Sequence, residues 1–140
     1  MWPGMWDLSA GGHVDSGETS IQAMHRELIE ELGLDVDPTD FHPIGVTESV
    51  NIQGKMINRH MNHYFVYKVN DIDLESLNLQ KIEVSEVRWV DKEEIIDRIK
   101  NNYDGITDKS TAWQSLLEYY KSQEKLITNS IKKEENEEER

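Results

Sequence analysis

Apolar residues recur with a helical period between residues 19 and 32 of this 140-residue chain. They are spaced by three or four positions, which places them on one face of an α-helix. This stripe consists of Ile21, Met24, Leu28 and Leu32. Residues 16–19 offer capping side chains before the stretch, and Gly33 follows it as a residue that ends helices. The pattern therefore predicts a helix over residues 19–32 with one apolar and one polar face.

Two longer stretches, residues 41–50 and 57–69, alternate between apolar and polar positions. A period of two is typical of β-strands that are buried on one face. The residues between the two stretches include Gly54, which favours a tight turn. The sequence therefore predicts a β-hairpin in the middle of the chain.

Two shorter segments also have the composition of strands. Residues 6–9 form a brief apolar-polar run that ends in a turn at residues 10–12. Residues 84–91 carry Val87 and Trp89 two positions apart, which puts both on one face of a strand. We therefore predict strands at both segments, in addition to the hairpin.

The later part of the chain returns to a helical period. Residues 92–101 and 110–127 predict two more helices, and an apolar stripe on the second favours core packing. That stripe consists of Trp113, Leu116, Leu117 and Tyr120. Strands interspersed with helices predict a mixed α/β (α+β) fold. We assign residues 1–131 to a single domain, which fits the usual domain length, and residues 132–140 to a charged C-terminal tail.

The chain is strongly acidic, with 28 Asp and Glu against 15 Lys and Arg and a formal net charge of −13. The tail contributes only −2 of this charge, so the acidity lies mostly in the predicted domain. Clustered carboxylates there indicate either a solvated surface or a cation site. The charge also argues against binding to nucleic-acid backbones or to anionic membranes. A polyanionic substrate would need metal ions to screen its approach.

Cysteine is absent from the sequence, which excludes disulfides, thiolate metal sites and a cysteine nucleophile. No apolar run reaches the length of a membrane span. The first residues, Met1-Trp2-Pro3-Gly4, lack the basic and apolar regions of a signal peptide. We therefore expect a cytoplasmic protein.

Three carboxylates lie on the polar face of the predicted helix. Glu27, Glu30 and Glu31 are spaced by three and four residues, so they are neighbours on the helix surface. Like charges this close destabilise a helix unless a cation neutralises them. Carboxylate oxygens suit Mg²⁺ or Mn²⁺, with positions left for water and phosphate oxygens. For Glu30 and Glu31 taken alone, a solvated acidic surface is the plainer interpretation.

The loop before this helix supplies two further features. Gly11, Gly12 and Gly17 let the backbone approach a metal ion or a ligand closely. Arg26 can pair with Glu18, and such a pair would hold the loop against the helix. The segment thus joins a loop suited to close approach with a helix that carries carboxylates.

The spacing of these residues matches a known family pattern at every fixed position. From Gly12, five residues lead to Glu18 and seven more to Arg26-Glu27-Leu28, which is followed by Glu30-Glu31 and Gly33-Leu34. This segment, residues 12–34, resembles the Nudix box. The flank at residues 3–12 also resembles the approach to the box in that family, in the style of isopentenyl-diphosphate isomerase. The resemblance implies an α/β/α sandwich with a mixed sheet.

Carried over by position, the resemblance also implies a metal site. The ligands would be Glu27, Glu30 and Glu31 with the carbonyl of Gly11, and the cation would be Mg²⁺ or Mn²⁺. Glu18 and Arg26 would be the structural pair of the box. The implied activity is hydrolysis of a diphosphate linkage in a nucleoside diphosphate derivative or a related small molecule.

Family members often use one more acidic residue from a later loop as a ligand or general base. Glu83 is the best candidate for this role, and Glu86 is the second. Catalysis is therefore assigned to Glu30, Glu31 and Glu83, with one of these carboxylates accepting a proton from the attacking water. The substrate-binding residues and the substrate stay open, because discrimination lies in loops outside the box.

Two other functions fit parts of the pattern. A non-catalytic Nudix-like module would bind a nucleotide or metabolite, but such modules commonly lose box carboxylates, and here all are present. Isopentenyl-diphosphate isomerase relies on a cysteine, and this sequence has none. Both considerations favour the hydrolase.

The chain begins close to the box, at Met1-Trp2-Pro3, whereas family domains carry further strands before this point. Either the start is truncated, or a second chain completes the sheet. A sheet that lacks strands would expose an unpaired edge, which proteins seldom leave bare. We therefore predict a homodimer or higher oligomer whose interface covers the sheet edges.

Overall fold

The computed structural model describes residues 5–101 and 112–125. The elements are α1 (Ser20–Leu32), β1 (His42–Gln53), β2 (Met56–Val66), α2 (Lys92–Lys100) and α3, which is described over residues 112–125. Short 3₁₀ helices lie in the connections at Pro38–Asp40 and Leu74–Ser76. This combination of helices and strands confirms the mixed α/β fold class. No helix within the described ranges is long and apolar enough to cross a membrane.

Helix α1 confirms the predicted helix to within one residue, because local side chains fix both of its ends. Thr19 is the N-cap, and its hydroxyl accepts a hydrogen bond from the backbone N–H of Gln22 at 3.2 Å. The Gln22 side chain accepts in return from the N–H of Thr19 at 2.9 Å, which completes a capping box. Gly33 ends the helix in the left-handed conformation, with a φ of 66°.

The apolar face of α1 packs into the main hydrophobic core. Leu28 and Leu32 are buried together with Phe41, whose ring centroid lies 6.1 Å from that of Phe65 and 5.8 Å from that of Tyr67. The other partly buried side chains around this cluster are Ala10, Met24, Leu34, Val36, Leu79, Val84 and Val87. Ile21, although part of the predicted stripe, is exposed on the first turn. Of the three carboxylates of α1 that the sequence places on its polar face, Glu30 is exposed, whereas Glu27 and Glu31 are partly buried.

Strands β1 and β2 form an antiparallel two-stranded sheet and confirm the predicted hairpin. Both strands extend closer to the turn than expected, so that only two residues, Gly54 and Lys55, connect them. Gly54 has a φ of 59°, which a two-residue hairpin turn favours. Contacts between side chains across the strands are Thr47 with Tyr64 at 2.9 Å, Ser49 with Asn62 at 3.1 Å and Glu48 with Arg59 at 3.5 Å.

The described residues group into two compact units, 5–43 with 65–101 and 44–64 with 112–125. In the second unit Gly45 lies against α3, since a Cβ atom added there would come within 2.6 Å of the Ser115 hydroxyl oxygen. Residues 112–125 confirm the middle of the predicted helix 110–127, whose ends lie outside the described residues. The single domain over residues 1–131 stays a prediction. The tail at 132–140 also lies outside the described residues.

The predicted strands at residues 6–9 and 84–91 are wrong. In residues 6–9, only Trp6 makes a β-bridge. The N–H of Leu8 donates to the side chain of Asp7 at 2.7 Å and not to a neighbouring strand. The second follows a turn in which Val84 donates its N–H to the carbonyl of Gln80 at 2.8 Å. Val84 and Val87, three residues apart, pack against the core, whereas Trp89 is exposed.

Candidate functional site

Arg26 joins the loop at residues 12–19 to helix α1. Its guanidinium donates to both carboxylate oxygens of Glu18, at 2.9 and 3.1 Å, and to the carbonyl of His13 at 2.8 Å. Glu18 also accepts from the N–H of Asp15 at 2.9 Å. These hydrogen bonds, first of all the one from Arg26, lower the pKa of Glu18. The loop conformation is therefore fixed by one arginine on the helix.

The same guanidinium also contacts two of the predicted metal ligands. Its Nη1 atom lies 2.8 Å from the Glu27 carboxylate and 3.3 Å from that of Glu30. The Glu27 side chain is only 13% exposed, whereas that of Glu30 is half exposed. Hydrogen bonds to Glu18 and Glu27 raise the pKa of Arg26 above its ordinary value. Arg26 thus supplies a counter-charge to Glu27 and Glu30.

Gly12 lies directly against the carboxylate of Glu27. A Cβ atom at Gly12 would overlap the Glu27 carboxyl group. By contrast, a Cβ atom at Gly11 would meet nothing within 4 Å. The box glycine is therefore explained by the close approach of the loop backbone to a carboxylate, whereas its neighbour has no such steric requirement.

Glu31 differs electrostatically from the other box carboxylates. Its pKa is raised to about 7, first because the side chain is partly buried and then because of the charges of Glu27, Glu83 and Asp7. A hydrogen bond from the backbone N–H of Gly11 acts in the opposite direction. The negative charge of Glu31 is therefore disfavoured by its surroundings.

These surroundings fit a divalent cation. Glu31 has acidic neighbours from three parts of the chain: the same helix, the flank before the box and the loop that contains Glu83. Each neighbour raises the pKa of Glu31, so a cation placed among these groups would relieve repulsion and restore the ionised carboxylate. Carboxylate oxygens without thiolate or imidazole are the ligand type that Mg²⁺ and Mn²⁺ prefer.

The described side chains are not arranged as a finished coordination shell. Within residues 5–101 and 112–125, no group of three His, Asp or Glu side chains is close enough to hold a metal ion. Glu27 and Glu30 contact Arg26 instead, while Glu31 accepts from the Gly11 N–H. The Gly11 carbonyl, which the sequence suggested as a ligand, is not the group that contacts Glu31. The assignment of these residues to a metal site stays a prediction.

The acidic surroundings of Glu31 include one residue that the sequence did not single out. Asp7 lies in the flank before the box, and its charge raises the pKa of Glu31 as that of Glu83 does. Glu86, the second candidate for the later-loop carboxylate, is exposed. The position of Asp7 one residue after Trp6, in a flank that already resembled the family, was the only available signal.

Comparison with known proteins identifies the family. The family model described as NUDIX domain matches residues 1–113. Nudix hydrolase 3 of Arabidopsis thaliana is 45% identical over 96 residues, which cover 66% of this chain and 12% of that protein. Nucleoside triphosphatase NudI of Escherichia coli is 32% identical over 99 residues, with coverage of 69% and 68%.

An Isopentenyl-diphosphate Delta-isomerase of Cutibacterium acnes is 31% identical over 99 residues, which cover 69% of this chain and 50% of that protein. The chain therefore spans half or less of two of these three relatives. The family model nevertheless matches well over half of the chain, and residues 1–113 include the loop and helix that carry the box. The chain belongs to the Nudix family.

Proposed function

We propose that this protein is a divalent-metal-dependent hydrolase that cleaves a diphosphate linkage in a nucleoside diphosphate derivative or a related compound. The observation that carries the proposal is the environment of Glu31, whose pKa is raised to about 7 by burial and by three neighbouring carboxylates. Such an arrangement costs stability unless it serves a cation, and strongly shifted pKa values are typical of functional sites. The family membership supports the same chemistry.

In this proposal the acidic residues have separate roles. Glu27, Glu30 and Glu31 hold Mg²⁺ or Mn²⁺ with the carbonyl of Gly11, and Asp7 is a further candidate ligand. When bound, the cation would screen the phosphate oxygens and lower the pKa of a coordinated water.

The remaining steps use carboxylates of this chain. Glu83, or one of the box residues Glu30 and Glu31, accepts the proton of the water that attacks phosphorus. Arg26 does not contact the substrate in this scheme, because Glu18 and the other partners already occupy its guanidinium. It acts as a positioning residue that keeps the loop on the helix.

A substrate panel tests the proposal. The protein would be assayed with Mg²⁺ and with Mn²⁺ against nucleoside triphosphates, sugar nucleotides, ADP-ribose, dinucleoside polyphosphates and non-nucleotide diphosphates, and released phosphate and monophosphate would be measured. We expect turnover that requires the metal. Glu31→Gln should lower kcat at least about 100-fold, the usual contribution of a lost proton acceptor or ligand. Glu118→Gln, an exposed glutamate of α3, is the matched control and should leave kcat unchanged.

The same panel separates the alternatives. Full activity of Glu31→Gln would contradict the assignment of the site. Tight binding of a nucleotide without turnover by the wild-type protein would instead indicate a binding module. Conversion of isopentenyl diphosphate would point to the isomerase, although the sequence lacks the cysteine on which that enzyme relies. The homodimer and the cytoplasmic location expected from the sequence also stay proposals.

A further inference from the structure

One face of the β1–β2 hairpin is apolar and exposed. Because the strands are joined by the two-residue turn at Gly54 and Lys55, the even-numbered residues of β1 and the odd-numbered residues of β2 lie on the same face. The exposed large apolar side chains of this face are Val46, Val50, Ile52, Ile57 and Met61, each between 51% and 66% exposed. We call these five side chains the hairpin patch.

The opposite face of the hairpin is mostly polar, with Met56 next to the turn as its one exposed large apolar side chain among the described residues. It carries Thr47 and Ser49 of β1 and Asn62 and Tyr64 of β2, whose side chains contact one another across the strands. Gly45, on the same face, lies against α3. Apart from Met56, the exposed large apolar side chains of the described hairpin residues therefore lie on the face that α3 does not cover.

The charge of the hairpin differs from that of the rest of the chain. Residues 44–64 contain one acidic residue, Glu48, and two basic residues, Lys55 and Arg59, a net charge of +1. Since the whole chain carries −13, the other residues carry −14. Two copies that approached through almost any other surface would repel each other, and repulsion is weakest where the hairpins meet.

We propose that the hairpin patch is the contact between two copies of this chain in a two-fold symmetric dimer. A two-fold interface brings the same surface of each copy together, so the five apolar side chains would cover their counterparts. Each copy also presents Glu48 and Arg59 on this face, 3.5 Å apart, and a two-fold arrangement lets each charge meet its opposite on the other copy. The proposal rests on the hairpin alone and not on the proposed activity.

The size of the patch predicts how strong this dimer is. Exposed aliphatic side chains of this kind bury roughly 100 Å² each, or about 1,000 Å² for ten side chains in two copies. Specific interfaces bury about 1,200–2,000 Å² in total. Adjoining polar side chains must supply the remaining area. The dimer should therefore be weak and reversible, with a dissociation constant in the micromolar range.

The oligomeric state of a matched pair of variants tests the proposal. Ile57→Lys places a charge in the hairpin patch, and Asn58→Lys places the same charge on the opposite face, one residue away. Sedimentation equilibrium over about a hundredfold range of concentration should show a monomer–dimer equilibrium for the wild-type protein and for Asn58→Lys. Ile57→Lys should weaken it at least about tenfold, because each copy would have to desolvate an ammonium group. Circular dichroism establishes that both variants fold.

Cross-linking gives a second measurement that does not depend on a charged substitution. Because the sequence contains no cysteine, a single introduced thiol reports only on its own position. Val50→Cys should form a disulfide-linked dimer on mild oxidation, whereas Asn51→Cys on the opposite face should stay monomeric on the same timescale.

Three results would overturn the inference. The first is a wild-type protein that is monomeric throughout the concentration range. The second is a dimer that Ile57→Lys and Asn58→Lys weaken equally, or that neither weakens, since either outcome would place the interface elsewhere, for example at the sheet edges. The third is equal cross-linking of Val50→Cys and Asn51→Cys. If Ile57→Lys fails to fold, the cross-linking result decides.

Discussion

Replacing Gly12 by alanine should destabilise the protein, because the added Cβ atom would occupy the position of the Glu27 carboxyl group. The backbone does not prevent the change, since Gly12 is not among the described glycines with a positive φ. The overlap involves the end of a flexible side chain, so it is relieved when Glu27 rotates away. The free energy of unfolding should therefore fall by the interactions that Glu27 loses.

The largest of these interactions is the hydrogen bond from Arg26 to Glu27, 2.8 Å long, between side chains that are 27% and 13% exposed. A hydrogen bond to a charged group contributes about 1.5–3 kcal/mol. Alanine in place of glycine also restricts the unfolded chain, which returns about 0.4–1 kcal/mol. A Glu27 side chain that has rotated away would also repel the carboxylate of Glu31 less. The net loss is therefore about 1 kcal/mol, or roughly 4 °C in the melting temperature at this chain length.

Thermal unfolding followed by circular dichroism without metal measures this loss. Gly11→Ala is the matched control, because a Cβ atom there meets nothing within 4 Å and the backbone change is the same. It should leave the melting temperature unchanged or raise it slightly. If Gly12→Ala and Gly11→Ala melt at the same temperature, the reasoning that links Gly12 to the position of Glu27 is refuted. Under the proposed function Gly12→Ala should also lower turnover, and Gly11→Ala much less so.

Two further predictions concern Glu18 and Gly33 of the box. Because the pKa of Glu18 is lowered, its bond with Arg26 stabilises the protein above pH 4.5, and this stabilisation is lost as the pH falls through the folded-state pKa. In a plot of unfolding free energy against pH, Glu18→Gln should therefore flatten the decrease at acid pH. An unchanged decrease would contradict this reasoning. Gly33→Ala should cost more than about 1 kcal/mol in urea unfolding, because the φ of 66° disfavours alanine and a Cβ atom would lie 2.8 Å from that of Asn78. Gly17→Ala has the strained φ without the contact and should cost less.

The parts of the fold that the sequence predicted correctly are those fixed by local interactions. The ends of α1 depend on Thr19, Gln22 and Gly33, all within one turn of the helix ends. The hairpin depends on a two-residue turn with Gly54 in the left-handed region. Each signal lies within a few residues of the element it defines, so no tertiary information is needed to interpret it.

The failed strand predictions depended on tertiary information. Alternation placed Val87 and Trp89 on one face, but a strand also requires a neighbour to accept its hydrogen bonds. The turn before Val84 instead directs the segment so that residues 84 and 87 reach the core and Trp89 is exposed. The path of the chain therefore determines which apolar side chains of this segment are buried.

The residues of the candidate site also separate into those that the sequence could predict and one that required the tertiary structure. Glu27, Glu30 and Glu31 follow from helix spacing, and Arg26 with Glu18 follows from the family pattern. Asp7 could not be found by spacing, because only the tertiary structure brings its charge close enough to raise the pKa of Glu31.

Arg26 explains why one box carboxylate is set apart from the others. A guanidinium has five N–H donors, and the five hydrogen bonds of Arg26 go to Glu18 twice and to His13, Glu27 and Glu30 once each. No donor is left for Glu31, which has carboxylates around it and accepts a hydrogen bond from the Gly11 N–H. A lysine, with three donors on one nitrogen, could not bridge the loop and both glutamates in this way. The arginine therefore holds the loop, Glu27 and Glu30 together without contacting Glu31, whose pKa is raised by burial and by the carboxylates around it.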